Sequence, residues 1–203
     1  MARYVSSYVL TMSVACELTS EQGTNSGVIA GINYAANDAK TRSGCTAGTV
    51  GSMSLGGTKS TSVNSAVANA VSAGLFMAVA AGNESQDSSN VSPASETTAF
   101  TVAASDSSDT FASFSNYGAP VDVIAPGVSI LSTWLNGGTN TISGTSMATP
   151  HVAGLAVYLL AFEGKRTPAA LGARIQTLSL KDKITGVPSG TVNYLAFNGN
   201  PSG

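Results

Sequence analysis

Apolar residues recur at helical spacing in two segments of the first half of the chain. In residues 26–40 they follow this spacing behind Ser26, a candidate N-cap. A second set repeats at i, i+3, i+4, i+7 and i+8 from Val63 onward, with Ser62 or Thr61 as the candidate N-cap. The pattern predicts one α-helix in each segment.

Continuous apolar runs predict buried strands on either side of the second helix. Residues 75–81 are all apolar, which is typical of a strand buried on both faces of a parallel sheet. Residues 49–55 precede the helix, so strand, helix and strand form one βαβ unit. Further strands are predicted at 100–104, 121–124 and 130–134, each bounded by Gly, Pro, Asp or Ser. The alternation favours an α/β protein of three α/β/α layers with a mostly parallel sheet.

The last third of the chain predicts two more helices. The first should begin near Ser146, because Pro150 is tolerated in a first turn but would break a helix interior. Residues 152–162 are small or apolar all round, which predicts burial on most sides. The next helix covers about 167–178, and residues 190–203 are interpreted as a short strand and a polar loop.

Composition indicates one domain and few charged partners. The 203 residues suffice for one sizeable core, and no abrupt change in composition divides them, so residues 1–203 are interpreted as a single domain. Charged residues make up 10% against 43% hydrophobic, with 22 glycines, which is typical of secreted proteins rich in small residues. The formal net charge is -2, and the nine Lys and Arg residues form no basic patch in the sequence, so nucleic acid is not an expected partner.

Membrane insertion and export signals are not predicted either. The apolar runs, such as residues 75–81, are shorter than the roughly 20 residues that span a bilayer. The first ten residues lack the apolar core and the small-residue cleavage site of a signal peptide. Cys16 and Cys45 either form a disulfide or remain two thiols, and the sequence leaves both alternatives open.

The chemistry centres on residues 144–154, which read Gly-Thr-Ser-Met-Ala-Thr-Pro-His-Val-Ala-Gly. Ser146 stands where a Gly-Thr turn leads into a helix, so backbone amides and the helix dipole would stabilise a developing oxyanion. A serine nucleophile also needs a base that a third group orients. The chain has one histidine, His151, which lies about 140° around the helix and about 7.5 Å along it from Ser146. His151 is therefore expected to point away from the hydroxyl.

The eleven-residue string resembles the active-site serine motif of the subtilisin-like serine proteases (subtilases, peptidase S8), and the whole is most similar to their proteinase K-like branch. Other segments occur in the order that the family shows, between about residues 23 and 197. These segments are Ser54-Leu55-Gly56-Gly57, Ala80-Ala81-Gly82-Asn83, Ser92-Pro93-Ala94-Ser95, Phe114-Ser115-Asn116-Tyr117-Gly118 and Ala125-Pro126-Gly127.

The resemblance implies a role for each matching residue. Ser146 would be the nucleophile that forms an acyl-enzyme, and the side-chain amide of Asn83 would join the Ser146 N–H in an oxyanion hole. Taken alone, Asn83 is better explained as a turn residue after Gly82, and it also starts an Asn-Glu-Ser glycosylation sequon. The implied substrate-binding residues are Ser54, Leu55, Gly56, Ala80 and Gly82.

The resemblance also implies partners. Catalysis would need no cofactor, and Asp122 would bind a structural calcium ion with backbone carbonyls near Thr97 and Ala99, although a surface salt bridge is the alternative for this carboxylate. The expected partners are an extended polypeptide substrate and an inhibitory propeptide. The protein would act as a monomer in the extracellular space.

The acid-base half of the implied site is missing. In the family, an Asp-Thr-Gly segment and a His-Gly-Thr-His segment precede the serine, and this sequence contains neither. His151 accompanies a separate catalytic histidine in the motif, so it is interpreted as a packed or supporting group. Residues 1–22 match the family poorly, which predicts an incomplete protease domain without its N-terminal strands and with little activity of its own. The alternative is a pseudoprotease that binds extended peptides through residues 54–57.

Overall fold

The computed structural model describes residues 10–12, 23–41 and 47–200, and Cys16 and Cys45 lie outside them. In chain order the strands are β1 Leu10–Met12, β2 Thr49–Met53, β3 Gly57–Thr58, β4 Leu75–Ala80, β5 Val91–Ser92, β6 Phe100–Ser105, β7 Val121–Pro126, β8 Ile130–Thr133, β9 Thr139–Ile142, β10 Leu180–Lys181 and β11 Tyr194–Leu195. The α-helices are α1 Asn25–Thr41, α2 Thr61–Ser72, α3 Thr145–Glu163 and α4 Pro168–Leu178. Ser88–Asn90 and Leu135–Gly137 form 3-10 turns.

Seven strands form one central sheet in the order β1-β2-β4-β6-β7-β11-β10. Neighbours from β1 through β11 run parallel, and β10 pairs antiparallel with β11 at the edge. β1 pairs with β2 from Leu10 opposite Thr49, so the sheet includes a strand from residues 1–22, the part with the poorest motif match. The remaining strands form two short antiparallel pairs, β3 with β5 and β8 with β9.

The two faces of the sheet are covered by different helices. All six residues of β4 are buried, as its continuous apolar run predicts for a strand between two layers. Leu75 and Met77 pack with α1 and α2, whereas Phe76 and Ala78 pack with α3 and α4, because successive side chains of a strand point to opposite faces. The predicted three-layer α/β/α fold is therefore confirmed.

Both predicted N-caps were wrong by one or two positions. α1 begins at Asn25, and the hydroxyl of Thr24 accepts a hydrogen bond from the Gly27 N–H at 3.2 Å, so Ser26 is not the cap. α2 begins at Thr61, and Ser60 caps it by accepting from the Val63 N–H. Thr24 and Ser26 lie two residues apart at the first start, and Ser60, Thr61 and Ser62 follow one another at the second. Only the backbone angles decide which hydroxyl accepts the bond.

The strand predicted at 130–134 exists but does not belong to the central sheet. β8 forms a hairpin with β9, and its Leu131 side chain is 68% exposed. An apolar-rich run between turn residues predicts a strand, but it does not reveal which partner the strand will have.

Helix α3 starts at Thr145, one residue before the predicted position, and Pro150 lies in its second turn. The expectation that Pro150 would fall in the first turn was therefore wrong, and the helix continues through the proline. Eight residues of α3 are buried, among them Ala148 and Val152 against the sheet. Within residues 152–162, however, only five residues are buried, and Gly154, Tyr158, Ala161 and Phe162 form an exposed stripe, so the prediction of burial on most sides was wrong.

By length and composition alone, α3 could also cross a bilayer. Half of its apolar window is buried inside the protein, as in the core helix of many soluble proteins. Its apolar character has a sufficient explanation in its packing against the sheet.

Candidate active site

Three segments that the sequence singled out meet at one end of the sheet. β2 and β4 are neighbours with Met53 opposite Val79, so Ser54 and Ala80 lie side by side at the carboxyl ends of parallel strands. The amino end of α3 reaches the same place, because the Ser54 hydroxyl donates a 2.7 Å hydrogen bond to the Ser146 carbonyl. In open α/β sheets, ligands bind in the crevice outside the carboxyl ends of the strands.

Ser146 is the second residue of α3 and is half-buried. Backbone N–H groups in the first turn of a helix have no acceptor within the helix, so the Ser146 N–H is free to bind a ligand oxygen. Gly144, the residue before α3, is buried and is held by its N–H, which donates to the Gly127 carbonyl at 2.8 Å. The start of α3 is thereby anchored to the loop after β7.

Asn83 faces the start of α3 with a fixed amide orientation. Its Oδ1 accepts hydrogen bonds from the Thr145 N–H at 2.8 Å and from the Thr145 hydroxyl at 3.0 Å. Since both donors need an acceptor, the atom they contact is the amide oxygen, and the amide nitrogen Nδ2 points away from Thr145. An ideal Cβ placed on Gly144 would lie 3.7 Å from Asn83 Nδ2 and 3.6 Å from the Ser146 nitrogen. These two nitrogens, with Met147 Sδ at 3.6 Å, therefore surround one small space at Gly144, and two nitrogens this close could both donate to one oxyanion.

Thr145 is a residue of this site that the sequence interpretation did not single out. Besides donating to Asn83, its buried hydroxyl accepts from the Gly82 N–H at 3.2 Å. One hydroxyl can be donor and acceptor at once, so Thr145 ties the strand end after β4 to the helix start. Its place between Gly144 and Ser146 in the motif was the available signal.

Asn116 holds the loop that carries Asn83. This fully buried side chain donates to the Ala81 carbonyl at 2.9 Å and to the Glu84 carboxylate at 2.7 Å. Its Oδ1 accepts from the backbone N–H groups of Glu84 and Gln86. The sequence placed Asn116 only in a motif whose order matched the family, because contacts across 30 or more residues are not visible in the sequence.

Gly82 is required by its backbone and by its surroundings. Its φ of +105° lies in the region that favours glycine, and an added Cβ would lie 2.2 Å from Asn116 Nδ2. Gly82 and Ala80 are both buried. Because glycine has no side chain and alanine has only a methyl group, these residues can contribute backbone to the wall of a pocket.

The segment from Ser54 to Gly56 is the exposed edge of the site. β2 ends at Met53, two residues earlier than the run of residues 49–55 predicts, and β3 begins at Gly57. Leu55 is 41% exposed, between the two ladders. An extended peptide could approach this edge without displacing another strand of the described part of the chain.

His151 does not serve Ser146. The ring is exposed, and its Nδ1 lies 2.8 Å from the Met147 carbonyl of its own helix. The hydroxyl of Ser146 instead donates to the Ser54 carbonyl at 3.4 Å. His151 points away from the serine as the helical geometry predicts, but the interpretation as a packed group was wrong, since the ring faces solvent.

Asp122 lies in β7, away from the serine. One carboxylate oxygen accepts from the Thr101 N–H at 2.8 Å, and the Gln176 side-chain amide lies 3.4 Å from the other. These contacts are not to a lysine or arginine, so they give no support to the surface salt bridge. Burial raises the pKa of Asp122 to about 6, against the lowering effect of the Thr101 N–H. Among the described residues, no three or more His, Cys, Asp or Glu side chains cluster as metal ligands.

Replacing Asp122 with asparagine should therefore change how stability depends on pH. A carboxyl whose pKa is raised by folding stabilises the fold at low pH, and this contribution is lost as pH rises through about 6. In EDTA, Asp122→Asn should match the parent near pH 4 and exceed its free energy of unfolding by up to about 3 kcal/mol at pH 7.5. Urea unfolding between these pH values measures it, and a difference independent of pH would contradict the prediction.

The chain matches known proteins over most of its length. The sequence profile of the subtilase family, peptidase S8, matches residues 5–193, beginning before residue 23, where the motifs placed its start. The cuticle-degrading protease of Metarhizium anisopliae is 60% identical over 177 residues, covering 87% of this chain and 45% of that protein. Proteinase T of Parengyodontium album is 52% identical over 188 residues, covering 89% of this chain and 61% of that protein.

Comparison with solved structures also finds a subtilisin-like proteinase. The crystal structure of a cold-adapted subtilisin-like serine proteinase superposes with a TM-score of 0.81 at 44% identity, covering 88% of this chain and 63% of that one. The chain thus belongs to the subtilase family, with proteinase K-like fungal enzymes among its relatives. It spans about half the length of the curated relatives that it matches first.

Proposed function

We propose that this chain carries the nucleophile and oxyanion half of a serine endopeptidase site. In the reaction, Ser146 Oγ loses its proton and attacks the carbonyl carbon of a peptide bond, whose oxygen becomes an oxyanion. Collapse breaks the C–N bond, the leaving amine takes up the equivalent of the serine proton, and an acyl-serine remains. The observation that supports this assignment is the pair of nitrogens, Asn83 Nδ2 and the Ser146 backbone nitrogen, that lie beside one small space at Gly144. Membership of the subtilase family supports the same reaction.

The substrate we propose is a polypeptide in extended conformation. The exposed backbone at Leu55 and Gly56 continues β2 beyond its last paired residue, and an added strand could pair there. The side chain before the scissile bond would lie between this edge and the buried backbone of Ala80 and Gly82. We further propose an extracellular monomer that a propeptide inhibits, with residues 1–203 forming one incomplete domain.

We also propose that this chain alone hydrolyses peptides poorly. The attack by Ser146 must release a proton, and a base has to accept it. The sequence has one histidine, and the ring of His151 faces solvent away from the serine. In subtilisin, a member of this family, loss of the catalytic histidine lowers kcat by about 2 × 10⁶, and the oxyanion hole and binding leave a residual rate. Ser146 should retain only that residual reactivity.

Labelling with a fluorophosphonate tests the nucleophile, because the probe reacts with activated serines. Ser62 is an internal reference, since it is exposed and is also the second residue of its helix. We expect slow labelling of Ser146 that is at least about 100-fold faster than that of Ser62, because only Ser146 has an Asn donor beside it. Peptide-resolved mass spectrometry measures both rates, and Ser146→Ala removes the first.

Two results would overturn parts of this proposal. Equal rates at Ser146 and Ser62 would show that Ser146 is not a nucleophile. Labelling within seconds, together with rapid cleavage of an unstructured protein by the parent and not by Ser146→Ala, would show that the chain does have an effective base.

A non-catalytic role is the second candidate, and the exposed edge at Leu55 and Gly56 favours it because peptide pairing there needs no base. A pseudoprotease would bind an extended peptide equally well with Ser146→Ala. Fluorescence anisotropy with a labelled peptide library measures this binding. Absence of saturable binding by both proteins would exclude the role.

A further inference from the structure

The carbonyl of Ser146 has lost the partner that a helix would normally supply. In an α-helix, each carbonyl accepts from the N–H four residues later. That residue is Pro150, which has no N–H, and α3 nevertheless continues through it to Glu163. An unpaired carbonyl at this point would leave the peptide plane after Ser146 without its usual restraint.

The missing donor is supplied by a side chain from another part of the fold. Ser54, 92 residues earlier in the chain, donates its hydroxyl to the Ser146 carbonyl at 2.7 Å. In return, the Ser146 hydroxyl donates to the Ser54 carbonyl at 3.4 Å. The neighbouring carbonyl of Thr145 accepts from the Thr149 hydroxyl at 2.8 Å, so side-chain donors serve both carbonyls at the start of α3.

We propose that Ser54 is a positioning residue for Ser146, and that its hydroxyl replaces the helical N–H that Pro150 removes. The bond fixes the peptide plane between Ser146 and Met147. It thereby fixes where the Ser146 side chain stands relative to Asn83 Nδ2. Because Pro150 has no N–H, the Ser146 carbonyl can accept from Ser54, at the strand end after β2. The peptide-binding edge and the nucleophile are therefore joined by a direct hydrogen bond. This inference rests on the proposed function, since it takes Ser146 as the nucleophile.

The side-chain role is separate from the part that the Ser54 backbone plays in peptide pairing. Ser54→Ala keeps the backbone and removes only the donor. Ser54→Thr keeps a hydroxyl, and position 54 is exposed, so the added methyl group has room. Pro150→Ala returns an N–H to the position from which a helix donates to the Ser146 carbonyl. The double variant Ser54→Ala/Pro150→Ala should therefore restore the bond by a different donor.

The carbonyl can be observed directly by NMR, whether or not the serine reacts. With ¹³C-carbonyl serine and ¹⁵N-methionine, an HNCO spectrum selects Ser-Met pairs, and the sequence has two of them, Ser146-Met147 and Ser52-Met53. The second pair is an internal reference. We expect the Ser146 carbonyl signal to move in Ser54→Ala toward the shift of a carbonyl without a donor. It should stay in place in Ser54→Thr and return in the double variant.

Labelling by the fluorophosphonate gives the functional readout. Ser54→Ala should slow the reaction at Ser146 about tenfold through the maximal rate rather than through probe binding, because the carbonyl loses a restraint and not a probe contact. Ser54→Thr and the double variant should recover most of this loss. Because Pro150→Ala also stabilises the helix, the rates are compared only under conditions in which circular dichroism shows every variant to be folded, so that recovery reports the restored bond.

Each outcome decides for or against the inference. An unchanged Ser146 carbonyl signal in Ser54→Ala, or no return of the signal and the labelling rate in the double variant, would overturn it. If Ser146 in the parent labels no faster than Ser62, the proposed nucleophile fails, and the positioning role fails with it even where the carbonyl signals behave as expected. The two failures are thus told apart by the parent protein alone.

Discussion

Replacement of Asn83 by alanine should slow the fluorophosphonate labelling of Ser146 by about 10²- to 10³-fold. The phosphonyl oxygen takes the place of the oxyanion, and Asn83 Nδ2 is one of the two donors beside that position. The magnitude is the one known for removal of one such donor in subtilisin, a member of this family, and is carried over rather than derived. The rate constant at saturating probe, followed by peptide-resolved mass spectrometry, is the measurement.

The matched control for this variant is Asn90→Ala. Asn90 is also exposed and also begins a sequon, but it lies in the 3-10 turn before β5. We expect this control to leave the labelling of Ser146 unchanged, and neither variant should alter labelling of Ser62. A loss below about threefold in Asn83→Ala would show that the amide does not act on the reacting group.

Replacement of Asn116 by alanine should lower the free energy of unfolding by about 3–5 kcal/mol. The side chain is fully buried and makes four hydrogen bonds, two of them accepted from backbone N–H groups of the loop that carries Asn83. Each buried polar group left without a partner costs about 1–3 kcal/mol. A domain stability of about 5–15 kcal/mol would fall by a large fraction. Urea unfolding followed by circular dichroism measures the change.

Asn64→Ala is the control for the loss of an asparagine side chain. Asn64 is half-buried, donates once to the Ser95 hydroxyl at 2.9 Å, and has no hydrogen-bond partner for its Oδ1 in the described structure. Its truncation should cost no more than about 1 kcal/mol, since one hydrogen bond is lost and alanine suits a helix. Equal effects of the two substitutions would contradict the role assigned to Asn116.

The parts of the fold that follow from local pattern were predictable. The helix that begins at Thr61 and the fully buried strand Leu75–Ala80 were found from apolar spacing alone, because side-chain burial imposes a period on the sequence. The N-caps and the partner of β8 were not, since more than one hydroxyl residue lies near each helix start and the sequence of a strand does not specify its neighbour.

The residues of the candidate site also fall into those that the sequence indicated and those that only the structure revealed. Motif resemblance indicated Ser146 and Asn83 as site residues, and helical geometry predicted that His151 points away from Ser146. The resemblance did not indicate Thr145 as the group that orients Asn83, nor the donor that replaces the N–H of Pro150. Both depend on hydrogen bonds between residues far apart in the chain, which no local pattern records.

By itself, then, the sequence predicted a layered α/β protein with a serine at the start of a helix and a single histidine five residues further along it. The tertiary structure alone decided that the Asn83 amide nitrogen and the Ser146 backbone nitrogen lie beside one space, and that the Ser54 hydroxyl donates to the Ser146 carbonyl. The physical reason is that spacing along the chain constrains direction within one element. Distances between elements are set only when the sheet brings their ends together.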